Sequence, residues 1–160
     1  MDLLDRLLGH DAWTTRQLLD LCGSLTEKQL DQEYDIGHRS LRATLTHLIK
    51  NMEVWSALMA NQDIDPRTDT SVSGLIGRLE VAAARLQSVS REVSNRNGWD
   101  ETWVDRLDNP PRQKTFGAGI AHLVTHSMHH RAQILYLLRR VGVTNLPEGD
   151  VFSWEHRDKA

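Results

Sequence analysis

The stretch from Ala118 to Arg140 constrains this chain more than any other. From His122 onward it reads HLVTHSMHHRAQILYLLRR, with no Pro or Gly and with Leu, Ile, Val and Met three and four apart. That period predicts one long amphipathic helix. With His122 at 0° and about 100° per residue, Phe116, Ile120, Leu123, Val124, Met128, Ile134, Leu135, Leu137, Leu138 and Val141 fill an arc from about 60° to 240°. His126 and His130 fall at about 40° and 80°, on the rim of the arc, while His122 and His129 lie toward solvent. Side chains four apart stand one above the other, about 5–6 Å between Cβ atoms, so two imidazoles can converge on one small object. A half-buried pair repels when both rings are protonated, and a divalent metal satisfies both nitrogens at once. The competing reading of HxxxH is a pair of surface histidines, and a third ligand from elsewhere in the chain decides between them.

The 160 residues are enough for one domain with a real core, expected over 1–160. Charged residues at 26% and hydrophobic ones at 39% describe a soluble folded chain. No apolar run approaches the roughly 18–20 residues of a membrane helix, so no membrane partner is expected. MDLLDRLLGHD carries two acids in its first five residues and lacks a basic stretch ahead of an apolar one, unlike a signal peptide. A net charge of −3 argues against a nucleic-acid partner. The single cysteine, Cys22, leaves no internal disulfide, fits a reducing cytoplasm and removes zinc clusters of the CxxC kind. Any metal must then be held by histidine and oxygen.

The first helix is expected over 2–22, with Leu3, Leu4, Leu7, Leu8, Leu18, Leu19 and Leu21 on one face and Gly23 as its stop. Asp11 sits near the centre of that face beside Thr15, where a carboxylate needs a partner. Arg131, with Ser127, is its counterpart in the middle of the last helix's apolar arc. A buried guanidinium needs a carboxylate, Asp11 first, with Asp35 and Glu53 as alternatives. Thr26 and Gln29 form a capping box that opens a short helical turn ended by Gly37. Ser40 caps a helix over 41–60 that turns Leu41, Leu45, Leu48, Met52, Trp55 and Met59 inward. His47 lies at the margin of that stripe, and Asn51 is one turn on. Residues 61–71 are a polar connection with one proline, Pro66. A helix over 72–94 follows, with Leu75, Leu79, Ala82, Leu86, Val89 and Val93 inward, and Asn97-Gly98 makes a turn. Residues 99–115, aromatic and then Pro-Pro, read as a loop or short hairpin. Thr115 caps the last helix, 116–140, and Gly142 ends it. In the tail, Val151, Phe152 and Trp154 are expected to pack down. The fold class is all-α, a four-helix bundle with an irregular 99–115 crossover.

LRATLTHLIKNMEVW and GIAHLVTHSMHHRAQIL, with HDAWTTRQLL before them and LRRVGVTNLPEGD after, carry a resemblance to the DinB/YfiT-like proteins. These are bacterial metal-binding four-helix bundles, and the resemblance spans nearly the whole chain. It implies one divalent metal held by a histidine of the second long helix and the HxxxH pair of the last, here His47, His126 and His130. His122 and His129 are not ligands by this mapping. Relatives include transferases that use low-molecular-weight thiols, and relatives are often dimers, so the resemblance implies a thiol cofactor and a homodimer as expectations.

Three neutral imidazoles leave a metal its full charge and leave positions open, the pattern of a catalytic site. Imidazole suits zinc, nickel, copper and iron; zinc or nickel is the expectation here. The expected function is a small metal-dependent enzyme of the thiol S-transferase type acting on a small-molecule electrophile, with Thr15, Asn51 and Trp55 in the pocket wall. A metal-dependent hydrolase is the alternative enzyme, although Glu53, six residues past His47, points away from it on the helical wheel. A non-catalytic metal- or ligand-binding stress protein is the third reading, and histidines hydrogen-bonded without any metal the fourth.

Overall fold

Each helix of this chain starts at a polar side chain that accepts a backbone N–H of its own first turn. Asp2 opens α1 (Leu3–Cys22), Thr26 opens α2 (Glu27–Leu30), Ser40 opens α3 (Leu41–Met59) and Ser71 opens α4 (Val72–Asn95). Thr115 opens α5 (Phe116–Arg140) and Asp150 opens α6 (Val151–Glu155). Such caps satisfy amide donors that have no partner inside the helix. The computed structural model describes residues 1–65 and 67–157. The proline of the 61–71 connection, Pro66, lies outside them.

The four long helices match their expected spans to within a residue at each end. The region 99–115 holds the short hairpin: β1 (Thr102–Asp105) pairs antiparallel with β2 (Arg112–Thr115), Thr102 opposite Thr115 and Asp105 opposite Arg112. Two stops differ from expectation. The α2 turn ends at Asp31, whose N–H bonds the Glu27 carbonyl, and Gly37 belongs instead to the loop beyond it. Gly23 caps α1 in right-handed geometry, φ −62°, so its position makes no use of glycine's left-handed freedom.

Packing makes a four-helix bundle. α1 lies against α4 and α5, and α3 lies against the same two, so the order around the bundle is α1–α4–α3–α5. Leu18 and Leu19 of α1, Leu45, Leu48, Ile49 and Met52 of α3, Leu75 and Leu79 of α4, and Leu123, Ile134 and Leu137 of α5 fill its centre. Every inward residue expected on α4 is buried. The hairpin closes one end: Gly119 on α5 leaves room for Trp103 and Met59, whose atoms lie 3.2 Å from where a Cβ would stand. Among the described residues no helix is long and apolar enough to cross a membrane.

Three residues depart from the expected helix faces and one from the expected packing of the tail. Leu3 (70% exposed), Leu7, Met128 (59%) and Phe152 (74%) face outward. Met128 shows why: the buried arc of α5 is narrower than the apolar one, and residues near 200–240° are its margin. His130, at about 80°, is therefore buried rather than on a rim, while His126, at about 40°, is half-buried. In the tail only Trp154 packs down fully, lying over Gly9, where a Cβ would come within 2.5 Å of its ring.

Two buried ion pairs brace the bundle. Asp11 and Arg131 are both at most 5% exposed and bond directly; Arg131 also donates to the Asp11 carbonyl at 3.3 Å and to Thr15 Oγ1 at 3.4 Å. Of the candidate partners for Arg131, Asp11 is the one used. Glu53 instead takes both Nε (2.9 Å) and Nη2 (2.8 Å) of Arg78, and Asp35 is exposed.

Candidate metal centre

α3 and α5 run antiparallel, which brings His47, Asn51 and Trp55, one turn apart on α3, against His130, His126 and His122 on α5. His47 Nε2 lies 3.2 Å from His126 Nε2, and His130 Nε2 lies 3.1 Å from the same atom. Ligand nitrogens about 2.0–2.1 Å from a shared ion stand about 2.9–3.4 Å apart, and both separations fall in that interval. Asn51 Nδ2 sits 2.9 Å from His47 Nε2 and 3.2 Å from His126 Nε2.

The protons of this cluster can be assigned from its partners. His130 Nδ1 lies 2.9 Å from Gln133 Oε1, a carbonyl oxygen that only accepts, so Nδ1 carries the hydrogen and Nε2 presents its lone pair. The Gln133 amide N–H in turn donates to His129 Nε2 at 3.0 Å, consistent with that orientation. With His130 set, the single in-plane position at His126 Nε2 holds either a proton or a lone pair, so it forms a well-aligned hydrogen bond with only one of its two imidazole neighbours. The donor set fits a cation. A hydrogen bond that fixes the tautomer of a ligand histidine, as Gln133 does here, is the usual support of such a centre.

Electrostatics keep these rings neutral. Burial, then the neighbouring His38, His130 and Lys50, pushes His47 down to about 4. Burial, then His130, His47, His122 and His129, pushes His126 down to about 4. Burial also lowers His130, against the opposing hydrogen bond to Gln133. At neutral pH the nitrogens that would bind a metal are not competing with protons.

One further histidine stands here that sequence reasoning missed. His38, in the loop before α3, stacks on His47 with ring centroids 3.7 Å apart and planes 29° apart. Ligand atoms of His38, His47 and His130 all lie within 4.8 Å of one another. Nothing periodic marks a histidine in DIGHRS.

Beyond the imidazoles, α3, α5 and the hairpin form an aromatic wall. Trp55 stacks on His122 (4.6 Å, 22°) and meets Trp103 edge-on at 5.7 Å. Lys114 Nζ lies 4.9 Å from the Trp55 ring centre and bonds Asp105 at 2.5 Å and Asp108 at 3.2 Å. Of the three residues expected in the pocket wall, Asn51 and Trp55 stand beside the cluster. Thr15 is fully buried at the Asp11–Arg131 pair, donating to the Asp11 carbonyl at 2.8 Å. A groove of 820 Å³ between Gln17, Asp20 and Leu21 of α1 and residues 144–147 shares no residue with the histidines.

An antiparallel helical bundle with imidazoles converging between two of its helices has a group of histidines that could hold a metal ion. The DinB family model matches residues 1–156, and the chain belongs to the DinB family. No curated protein matches the sequence.

Proposed function

We propose that His47, His126 and His130 hold one divalent metal, and that the protein is a metal-dependent transferase acting through a small thiol. The observation that carries this reading is the convergence of three Nε2 atoms at 3.1 and 3.2 Å, with His130 held as the Nδ1–H tautomer. Zinc or nickel suits three neutral imidazoles; magnesium and calcium prefer oxygen. A divalent ion there supplies a Lewis acid that brings a thiol toward deprotonation near neutral pH. The chain's own residues do the rest. Gln133 orients His130, and Asn51 presents an N–H beside the site. Trp55 and His122 offer a flat wall for an electrophile, bounded by Lys114 and the two carboxylates it pairs with.

Thiol transfer is favoured over hydrolysis by what surrounds the cluster. Activating water calls for a general base, and among the described residues no carboxylate bonds the imidazoles: Glu53 is committed to Arg78. A thiol, more acidic than water, has less need of a base. Cys22, the one cysteine, is buried and pushed up to about 12 by burial, so an external thiol is required. Elemental analysis of purified protein should find one zinc or nickel per chain, and His47→Ala, His126→Ala and His130→Ala should each lose it while His129→Ala keeps it. Metal-loaded protein, assayed against a panel of thiols with a small electrophile, should consume thiol. Full metal in His47→Ala would refute the site, and loaded protein inert with every thiol would refute the transferase.

A further inference from the structure

The geometry points to His38 as a fourth imidazole for the same ion. This inference rests on the three-histidine site proposed above and adds a ligand from outside the helices. His38 lies with its ring centroid 3.7 Å from that of His47 and 5.3 Å from that of His130. The ligand atoms of His38, His47 and His130 all fall within 4.8 Å of one another, against about 2.9–3.4 Å for neighbouring nitrogens on one ion. Rotation of the exposed His38 side chain about χ1 and χ2 is what brings its ring nitrogen in to that separation.

The loop that carries His38 is built to hold it there. Tyr34 N–H bonds the Arg39 carbonyl at 2.9 Å, and Arg39 N–H bonds the Ile36 carbonyl at 2.7 Å, drawing 34–39 into a closed turn. Tyr34 anchors the turn to the end of α5, where its hydroxyl donates to the Arg140 carbonyl at 3.2 Å. Gly37 adopts φ +47°, and a Cβ there would come within 2.4 Å of the Gln133 side chain. The loop therefore lies directly against the glutamine that orients His130. Arg39 adopts φ 75°, a conformation L side chains rarely take. A surface histidine without a task needs none of this.

His38 is exposed, so it differs from the other three in what it can do. His130 is locked by Gln133, and His47 and His126 are packed between helices; His38 alone sits on a segment outside the bundle. It completes the imidazole set from the solvent side, next to His47 and His130.

Cobalt(II) as a spectroscopic stand-in tests this without reference to turnover. Chelator competition gives the affinity, and the visible absorption of the bound ion reports its ligands. His38→Ala should still bind one ion per chain, with Kd raised roughly tenfold or more and the visible bands shifted. Added free imidazole should restore the original spectrum, and His156→Ala, whose ring bonds the Phe152 carbonyl, should bind and absorb like the unaltered chain. An unaltered Kd and an unaltered spectrum in His38→Ala would overturn the fourth ligand while leaving the triad standing. One ion per chain retained in His47→Ala would instead remove the triad itself.

Discussion

Arg131 and Asp11 are the residues whose chemistry is least like their surroundings. Burial raises the Asp11 carboxyl, and the Arg131 guanidinium pulls it back. The two members are not equivalent when one is removed. A carboxyl can take up a proton and become neutral, whereas a guanidinium cannot lose one. Asp11→Asn should therefore cost more stability than Arg131→Met, about 3–5 kcal/mol against a smaller loss, by urea unfolding at neutral pH. The Arg131→Met loss should also depend on pH in a definite sense. Without Arg131 the folded-state value of Asp11 lies further above its unfolded one, so the folded chain binds more protons. Stability then falls as pH rises from about 4 through that raised value. Equal losses in the two variants at neutral pH would count against this account. Both partners were legible from the sequence, since each sits at the centre of an apolar face; that Glu53 serves Arg78 instead was not.

At the scale of elements, α6 has five residues, too few to persist alone. It is held by Trp154, 4% exposed, against Gly9 of α1, and by the Gly149 carbonyl 2.7 Å from His10 Nε2. Gly9 sits in mid-helix, where alanine is normally favoured by about 1 kcal/mol. Here the added methyl meets the indole at 2.5 Å. Gly9→Ala is expected to reverse the usual sign, costing about 1–3 kcal/mol and shifting Trp154 fluorescence toward that of a solvent-exposed indole. A more stable variant with unchanged emission would show that α6 repacks freely.

At the scale of the whole molecule, folding takes His47 and His126 from water into a shared, half-buried cleft. Unfolded, each titrates near 6.5; folded, each is held at about 4, by burial first and by neighbouring histidines next. Between those values the unfolded chain binds more protons, so stability rises with pH across the window. Metal-free protein should keep its full stability above about pH 6.5 and lose it as pH falls from there to about 4. Urea midpoints at pH 7.5, 5.5 and 4.5 measure this. The drop should be clearly smaller in the double variant His47→Ala/His126→Ala, and an equal drop would place its origin elsewhere.

The four long helix spans, the caps Thr26, Ser40 and Thr115, the stacking of His126 over His130 and the central places of Asp11 and Arg131 were legible in the sequence alone. They depend on neighbours within a turn or two, and a 3.6-residue period carries that information along the chain. The pairing of His47 with His126, 79 residues apart, was not. Nothing in the α3 stripe separates an exposed histidine from a ligand until α5 arrives at the right height, and only the family resemblance raised it. The same holds for the exposure of Leu3, Met128 and Phe152, and for the full burial of His130. A helical wheel orders residues by angle but does not say where the neighbouring helices stop covering them. His38 lies furthest from sequence reasoning, because its place over His47 comes from a loop closed by its own backbone hydrogen bonds and docked on Gln133. Local periodicity sets what each element offers, and the rotation and height at which elements meet set what those offers become.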